Sequence, residues 1–160
     1  MELLTTIEQT KVTPPMPPSK IMIVDDDADL CQALRVRLRA NHYDAVSACD
    51  GYSALALALR ERPDLVLLDL GLPALDGFAV LKFLKECPPF AETPVVILTG
   101  RSLQACKRQI LESGAAALLQ KPASDEELLA CIRHYLQIPR GSQKLPSNRQ
   151  REKRRDPKPQ

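Results

Sequence analysis

Short apolar runs along the chain alternate with longer stretches in which apolar residues recur every three or four positions. Four runs are continuously apolar and span residues 21–24, 65–68, 95–98 and 116–119. Continuous apolar runs of this length are typical of strands buried on both faces of a parallel sheet. A fifth run, residues 44–49, mixes polar and apolar side chains and predicts a strand at the sheet edge.

The stretches between the runs have helical periodicity. Leu30, Leu34 and Leu38 recur four residues apart, while Arg35 and Arg39 fall on another face. Similar stripes follow each later run: Leu55, Ala58 and Leu59; Phe78, Leu81 and Leu84; Leu103, Ile110 and Leu111; Leu128, Leu129, Ile132 and Leu136. Ser124 and Glu127 fit a capping box at the start of the last helix. Five strands alternating with five helices predict a doubly wound α/β fold with right-handed crossovers.

Both ends of the chain differ from this pattern. Pro14, Pro15, Pro17 and Pro18 exclude a helix interior or a central strand, so residues 1–18 are predicted to be a flexible leader. Residues 139–160 are rich in Pro, Arg, Lys, Ser and Gln, and we expect a disordered tail. The folded domain is therefore expected at residues 19–138.

The net charge of +2 combines two unlike parts. Residues 1–138 carry 14 Lys and Arg against 18 Asp and Glu, whereas residues 139–160 carry 8 against 2. An acidic body thus ends in a basic tail. No apolar stretch is long enough for a membrane helix, and the first 20 residues lack the apolar core of a signal peptide. These observations predict a cytoplasmic protein. Its five cysteines form no CxxC pair and are expected to be reduced and mostly buried.

The polar residues after the apolar runs carry the candidate chemistry. Asp25, Asp26 and Asp27 follow the run at residues 21–24, and Asp69 follows the run at residues 65–68. Thr99 follows the run at residues 95–98, and Lys121 comes one residue after the run at residues 116–119. In a doubly wound sheet, ligands bind beyond the carboxyl ends of the strands. The sequence therefore predicts one site that combines carboxylates, a hydroxyl and an ammonium group.

This combination of groups suits a metal and a phosphoryl group. Crowded carboxylates raise one another's pKa values, and a divalent cation removes that conflict. Mg²⁺ prefers oxygen ligands and needs only one or two carboxylates, here Asp26 and Asp69. Lys121 and Thr99 could then contact phosphoryl oxygens, with Asp69 as the nucleophile of an acyl-phosphate reaction.

Four segments resemble the receiver domain of bacterial two-component response regulators: KIMIVDDDADL, PDLVLLDLGLPALDG, PVVILTG and LLQKP. The resemblance covers residues 19–138 and implies a flavodoxin-like five-stranded parallel sheet of order 2-1-3-4-5 with five helices. It implies that Asp69 is phosphorylated from a histidine kinase or a histidine phosphotransfer protein. It also implies Mg²⁺ held by Asp26, by Asp25 through water, by Asp69 and by the Gly71 carbonyl.

The resemblance further identifies Thr99 as the switch hydroxyl and Lys121 as the phosphate-pairing lysine, and implies a cis peptide before Pro122. Two positions depart from the usual family pattern, and two others occupy positions that tune dephosphorylation. Leu118 stands where the family usually has an aromatic switch residue, and Ala123 where it often has Phe. Arg101, two residues after Thr99, occupies a position that tunes dephosphorylation in the family, as does Gly71.

Two acids near the strand ends have structural interpretations. Asp27 suits the N-terminus of the first helix, where the helix dipole favours negative charge. Asp76 is expected to cap the helix opened by Gly77. Neither His42 nor His134 lies in metal-ligand spacing, and both are expected to be surface or packing residues.

The main functional hypothesis is a stand-alone receiver that signals by binding a downstream protein and is not a classical enzyme. One alternative is a receiver-like scaffold that is never phosphorylated. Another is a phosphatase of the haloacid-dehalogenase type that uses Asp25 and Asp27, which would leave the segment around Asp69 unexplained. The tail is expected to be solvated, with docking to an acidic partner or nucleic-acid contact as weaker alternatives.

Overall fold

Residues 16–137 are described by the computed structural model, in which five strands and five helices alternate strictly along the chain. The strands are β1 Lys20–Val24, β2 Asp44–Ala48, β3 Leu65–Leu68, β4 Val95–Thr99 and β5 Ala117–Gln120. The helices are α1 Ala28–Ala40, α2 Gly51–Glu61, α3 Gly77–Glu86, α4 Leu103–Glu112 and α5 Asp125–Gln137. All strand pairs are parallel, and the sheet order β2-β1-β3-β4-β5 confirms the predicted fold class.

Strands β1, β3 and β4 are buried on both faces, as their continuous apolar runs predict, whereas β5 lies at the sheet edge and is only partly buried. Met22 and Val24 point into one core, which also holds side chains of α2, α3 and α4. Ile21 and Ile23 point into the opposite core, which is shared with α1 and α5. This alternation follows from the two-residue period of a strand, and it requires helices on both sides of the sheet.

Several helices begin at the residues expected from the sequence. Asp27 caps α1 by accepting a hydrogen bond from Leu30 N–H at 3.0 Å. Asp76 caps α3 by accepting one from Phe78 N–H at 2.8 Å. Ser124 Oγ accepts from Glu127 N–H at 3.2 Å, and the Glu127 carboxylate accepts from Ser124 N–H at the same distance, which confirms the capping box.

Two expectations about burial are wrong. Leu59 is 49% exposed, because the buried face of α2 is formed by Ala54, Leu57 and Ala58. The alternating Leu and Ala residues of α2 offer apolar side chains all round, so the sequence does not define which face is buried. Two of the five free cysteines are buried and Cys49 is exposed, so the thiols are not mostly buried.

The predicted leader and tail fall almost wholly on residues 1–15 and 138–160, which lie outside the described residues. None of the helices within residues 16–137 combines the length and the apolar character needed to cross a membrane.

Candidate functional site

Main-chain hydrogen bonds bring the strand-end residues to one edge of the sheet. Asp25 N–H donates to Ala48 O at 3.1 Å, which ties the end of β1 to β2. Asp69 N–H donates to Val24 O at 2.9 Å, and Lys121 N–H donates to Thr99 O at 2.9 Å. Each of these residues therefore extends the main-chain hydrogen bonding of the sheet by one residue beyond the end of its strand.

Three carboxylates meet at this edge. Asp25, Asp26 and Asp69 each offer an oxygen, and these oxygens all lie within 4.8 Å of one another. Asp25 and Asp69 are 3% and 8% exposed, whereas Asp26 is exposed to solvent. Three negative charges this close repel strongly, and two of them are shielded from water, so the cluster needs a positive partner.

Lys121 supplies one positive charge to the cluster. Its ammonium Nζ lies 2.5 Å from Asp25 Oδ2 and 3.4 Å from Asp69 Oδ2. Burial raises the pKa of Asp25, although the hydrogen bond from Lys121 opposes that effect. Burial by itself lowers the pKa of Lys121, but its contacts with Asp25 and Asp69 outweigh that effect and leave the pKa above its usual value. Lys121 is therefore a cation at neutral pH.

Backbone groups and small residues shape the space around Asp69. Gly71 N–H donates to Asp69 Oδ1 at 3.3 Å, which orients the carboxylate. A Cβ on Gly77 would lie 2.4 Å from the carbonyl oxygen of Asp69, so only glycine allows α3 to begin this close to the strand end. Thr99 is fully buried, and its hydroxyl oxygen accepts a hydrogen bond from Arg101 N–H at 3.3 Å.

The donor set of the cluster fits a hard divalent cation. Three carboxylate oxygens within 4.8 Å of one another are the type of ligand that Mg²⁺ takes in proteins. The exposure of Asp26 leaves one side open to water, and Mg²⁺ usually keeps several water ligands. Asp25, Asp26 and Asp69 are thus the side chains that could hold the metal.

Other predicted residues lie apart from the cluster. Asp27 is exposed, and its Oδ1 is engaged in capping α1. Leu118 is half-buried and packs against the core that contains α4. The peptide between Lys121 and Pro122 is cis, as the resemblance implies. Ala123 is half-buried against the core shared with α1 and α5.

One interaction at the site was missed by sequence reasoning. Arg101 Nη2 lies 3.5 Å from Asp76 Oδ2, so an ion pair joins the loop after β4 to the first residue before α3. Spacing alone gives no signal for a pair separated by 25 positions, because the loops meet only once the sheet is assembled.

Comparisons with known proteins identify the family of the chain. The family model described as the response regulator receiver domain matches residues 21–133. The response regulator PleD of Caulobacter vibrioides is 40% identical over 115 residues, which cover 72% of this chain and 25% of PleD. The polar-differentiation response regulator DivK of Brucella anthropi is 32% identical over 119 residues, which cover 74% of this chain and 97% of DivK.

Solved structures show the same fold. The chemotaxis response regulator CheY4 of Vibrio cholerae superposes with a TM-score of 0.69 at 29% identity, covering 74% of this chain and 98% of CheY4. A response regulator from Chloroflexus aurantiacus gives a TM-score of 0.71 at 30% identity, covering 76% of this chain and 99% of that one. The matched region spans a quarter to a half of several longer curated relatives.

Proposed function

Because the chain belongs to the response regulator receiver family, we propose that it accepts a phosphoryl group on Asp69 and signals through phosphorylation-dependent protein binding. Receiver domains are signalling domains of two-component systems. The proposed donor is a phosphohistidine of a histidine kinase or a histidine phosphotransfer protein. The proposal places the protein in the cytoplasm and gives it slow self-dephosphorylation as its own chemistry.

One observation carries the proposal: Asp69 lies beside two other carboxylates and within ion-pair distance of the Lys121 ammonium at an edge of the sheet. Its position within 4.8 Å of Asp25 and Asp26 oxygens suits a shared cation, and Lys121 Nζ is 3.4 Å from its Oδ2. A carboxylate so placed can attack phosphorus, because the negative charge that builds up on the phosphoryl oxygens meets fixed positive charge.

The proposed reaction transfers the phosphoryl group directly from the donor histidine to Asp69. A carboxylate oxygen of Asp69 forms a bond to phosphorus while the bond from phosphorus to the imidazole nitrogen of the donor breaks, and the electron pair stays on that nitrogen. Mg²⁺ bound by Asp25, Asp26, Asp69 and the Gly71 carbonyl would neutralise charge on the phosphoryl oxygens. In this proposal Lys121 pairs with one phosphoryl oxygen, and the Thr99 hydroxyl donates a hydrogen bond to another.

The geometry favours Asp69 over the phosphatase alternative. That alternative needs Asp25 and Asp27 side by side as nucleophile and general acid. In the structure the Asp27 side chain is turned into the cap of α1, and it is not part of the acidic group formed by Asp25, Asp26 and Asp69.

Covalent labelling with acetyl phosphate and Mg²⁺ tests the proposal. We expect intact-mass analysis to show one added phosphoryl group on the wild type, no addition on Asp69→Asn, and normal addition on Asp50→Asn. Asp50 is a matched control because it is also an N-cap aspartate and lies outside the acidic group formed by Asp25, Asp26 and Asp69. Labelling that persists in Asp69→Asn would overturn the assignment, and absence of labelling in the wild type would favour the unphosphorylated scaffold.

A further inference from the structure

The ion pair between Arg101 and Asp76 joins two loops at the sheet edge where Asp69 lies. Arg101 follows β4 and Asp76 precedes α3, so the pair connects two loops that flank Asp69. Both side chains are about half exposed, at 46% and 49%, and therefore remain accessible to a group that enters from solvent. Among carboxylates of residues 16–137, Asp76 is the one within ion-pair distance of Arg101.

Arg101 and the Asp69 carboxylate both lie close to Gly71. A Cβ built on Gly71 would lie 3.7 Å from Asp69 Oδ2 and 3.9 Å from Arg101 Nε. The guanidinium and the Asp69 carboxylate therefore border the same small space, which the absence of a side chain at Gly71 keeps open. A phosphoryl group attached to Asp69 would enter this space.

The two oxygens of Asp76 have separate roles. Oδ1 accepts the hydrogen bond from Phe78 N–H that caps α3, and Oδ2 pairs with Arg101. The pair is therefore anchored on its acidic side by a helix cap. On its basic side, the backbone of Arg101 is tied to the Thr99 hydroxyl at 3.3 Å.

Charge decides which partner Arg101 prefers once the site is filled. A phosphoryl group carries more negative charge than one carboxylate, and its oxygens match the forked donors of a guanidinium. The exposed pair with Asp76 is weak by comparison. We propose that Asp76 holds Arg101 while the site is empty and competes with the phosphoryl group for it, and that Arg101 leaves Asp76 to bind the phosphoryl group on Asp69.

This inference rests on the proposed function and adds to it a competition between two anionic groups for Arg101. Asp76 competes with the phosphoryl group for Arg101, so the strength of the ion pair sets how readily the phosphorylated state forms and how long it lasts. The exchange also removes one contact from the start of α3, which links occupancy of the site to that helix.

A double-mutant cycle with beryllofluoride and Mg²⁺ tests the competition, with bound fluoride followed by ¹⁹F NMR. Asp76→Asn keeps a side chain that can cap α3 but removes the charge that holds Arg101. We expect it to lower the apparent dissociation constant about two- to fivefold, the range of an exposed ion pair. We expect Arg101→Ala to raise that constant about tenfold through loss of a charge-assisted contact.

The decisive comparison is Asp76→Asn in the Arg101→Ala background, where we expect no effect on binding. An equal effect in both backgrounds would overturn the inference, because it would show only that removing a negative charge favours any anion. Asp50→Asn is the matched control at another N-cap and is expected to bind as the wild type does. Absence of binding by the wild type would instead overturn the proposed function, and this inference with it.

Discussion

Replacing Gly77 with alanine is expected to destabilise the protein and disturb Asp69 at the same time. The added Cβ would lie 2.4 Å from the Asp69 carbonyl oxygen and 2.6 Å from the Leu70 Cα. Both contacts are about 1 Å shorter than an ordinary van der Waals contact, and both involve backbone at the end of β3. Because backbone cannot rotate away as a flexible side chain can, α3 or the strand end must shift.

The size of the effect follows from two opposing contributions. Overpacking of this kind costs about 1–3 kcal/mol. Alanine offsets up to about 1 kcal/mol of that through its helix propensity. We expect a net loss of about 1–2 kcal/mol in the free energy of unfolding, which lowers Tm by about 4–8 °C in a domain of this size.

Urea unfolding and calorimetry measure this loss, and Gly100→Ala is the matched control. A Cβ on Gly100 would meet nothing within 4 Å, so this variant is expected to unfold close to the wild type. The Gly77 variant is also expected to lose most of its labelling by acetyl phosphate, because its shift moves the backbone of Asp69. Equal unfolding midpoints for the two variants would refute the steric argument.

Three further predictions concern single groups. Asp27→Ala removes the cap of α1 and is expected to cost about 1 kcal/mol in urea unfolding, whereas Asp27→Asn stays near the wild type; equal loss in both would show that charge, not capping, matters. Iodoacetamide at pH 8 is expected to modify exposed Cys49 well before Cys31, because burial raises the pKa of Cys31 to about 11; peptide mass mapping that found Cys31 first would contradict this. Lys121→Met is expected to raise the pKa of Asp25 further, because the lysine opposes the effect of burial; carboxyl NMR titration measures the change, and a fall would contradict it.

The sequence predicted the strands well because their pattern leaves little choice. The run at residues 65–68 matches β3 at both ends, and the other runs differ from their strands by one residue at one or both ends. The apolar runs of β1, β3 and β4 place large side chains on both faces of the strand, so burial of both faces could be expected from composition, whereas the partly buried edge position of β5 could not. Parallel order then brings the carboxyl ends together, which is why the acidic residues could be grouped before any geometry was known.

Features that depend on contact between distant segments could not be predicted. Leu59 was placed on the buried face of α2, because a helix made of alternating Leu and Ala does not reveal which face meets the sheet. The ion pair between Arg101 and Asp76 depends on how two loops meet. The steric limit at Gly77 depends on a backbone that belongs to another element. All three features depend on contacts between elements that are distant in sequence, so the local pattern of apolar and polar residues does not predict them.

The way in which Asp25, Asp69 and Lys121 extend the sheet beyond its strands bears on how such a site evolves. Their positions are fixed by main-chain hydrogen bonds, which any residue except proline can make. Mutation can therefore exchange the side chains while the frame that presents them stays in place. A lineage could lose the phosphoryl chemistry, or acquire a different one, through a few substitutions at the strand ends, with the sheet inherited unchanged.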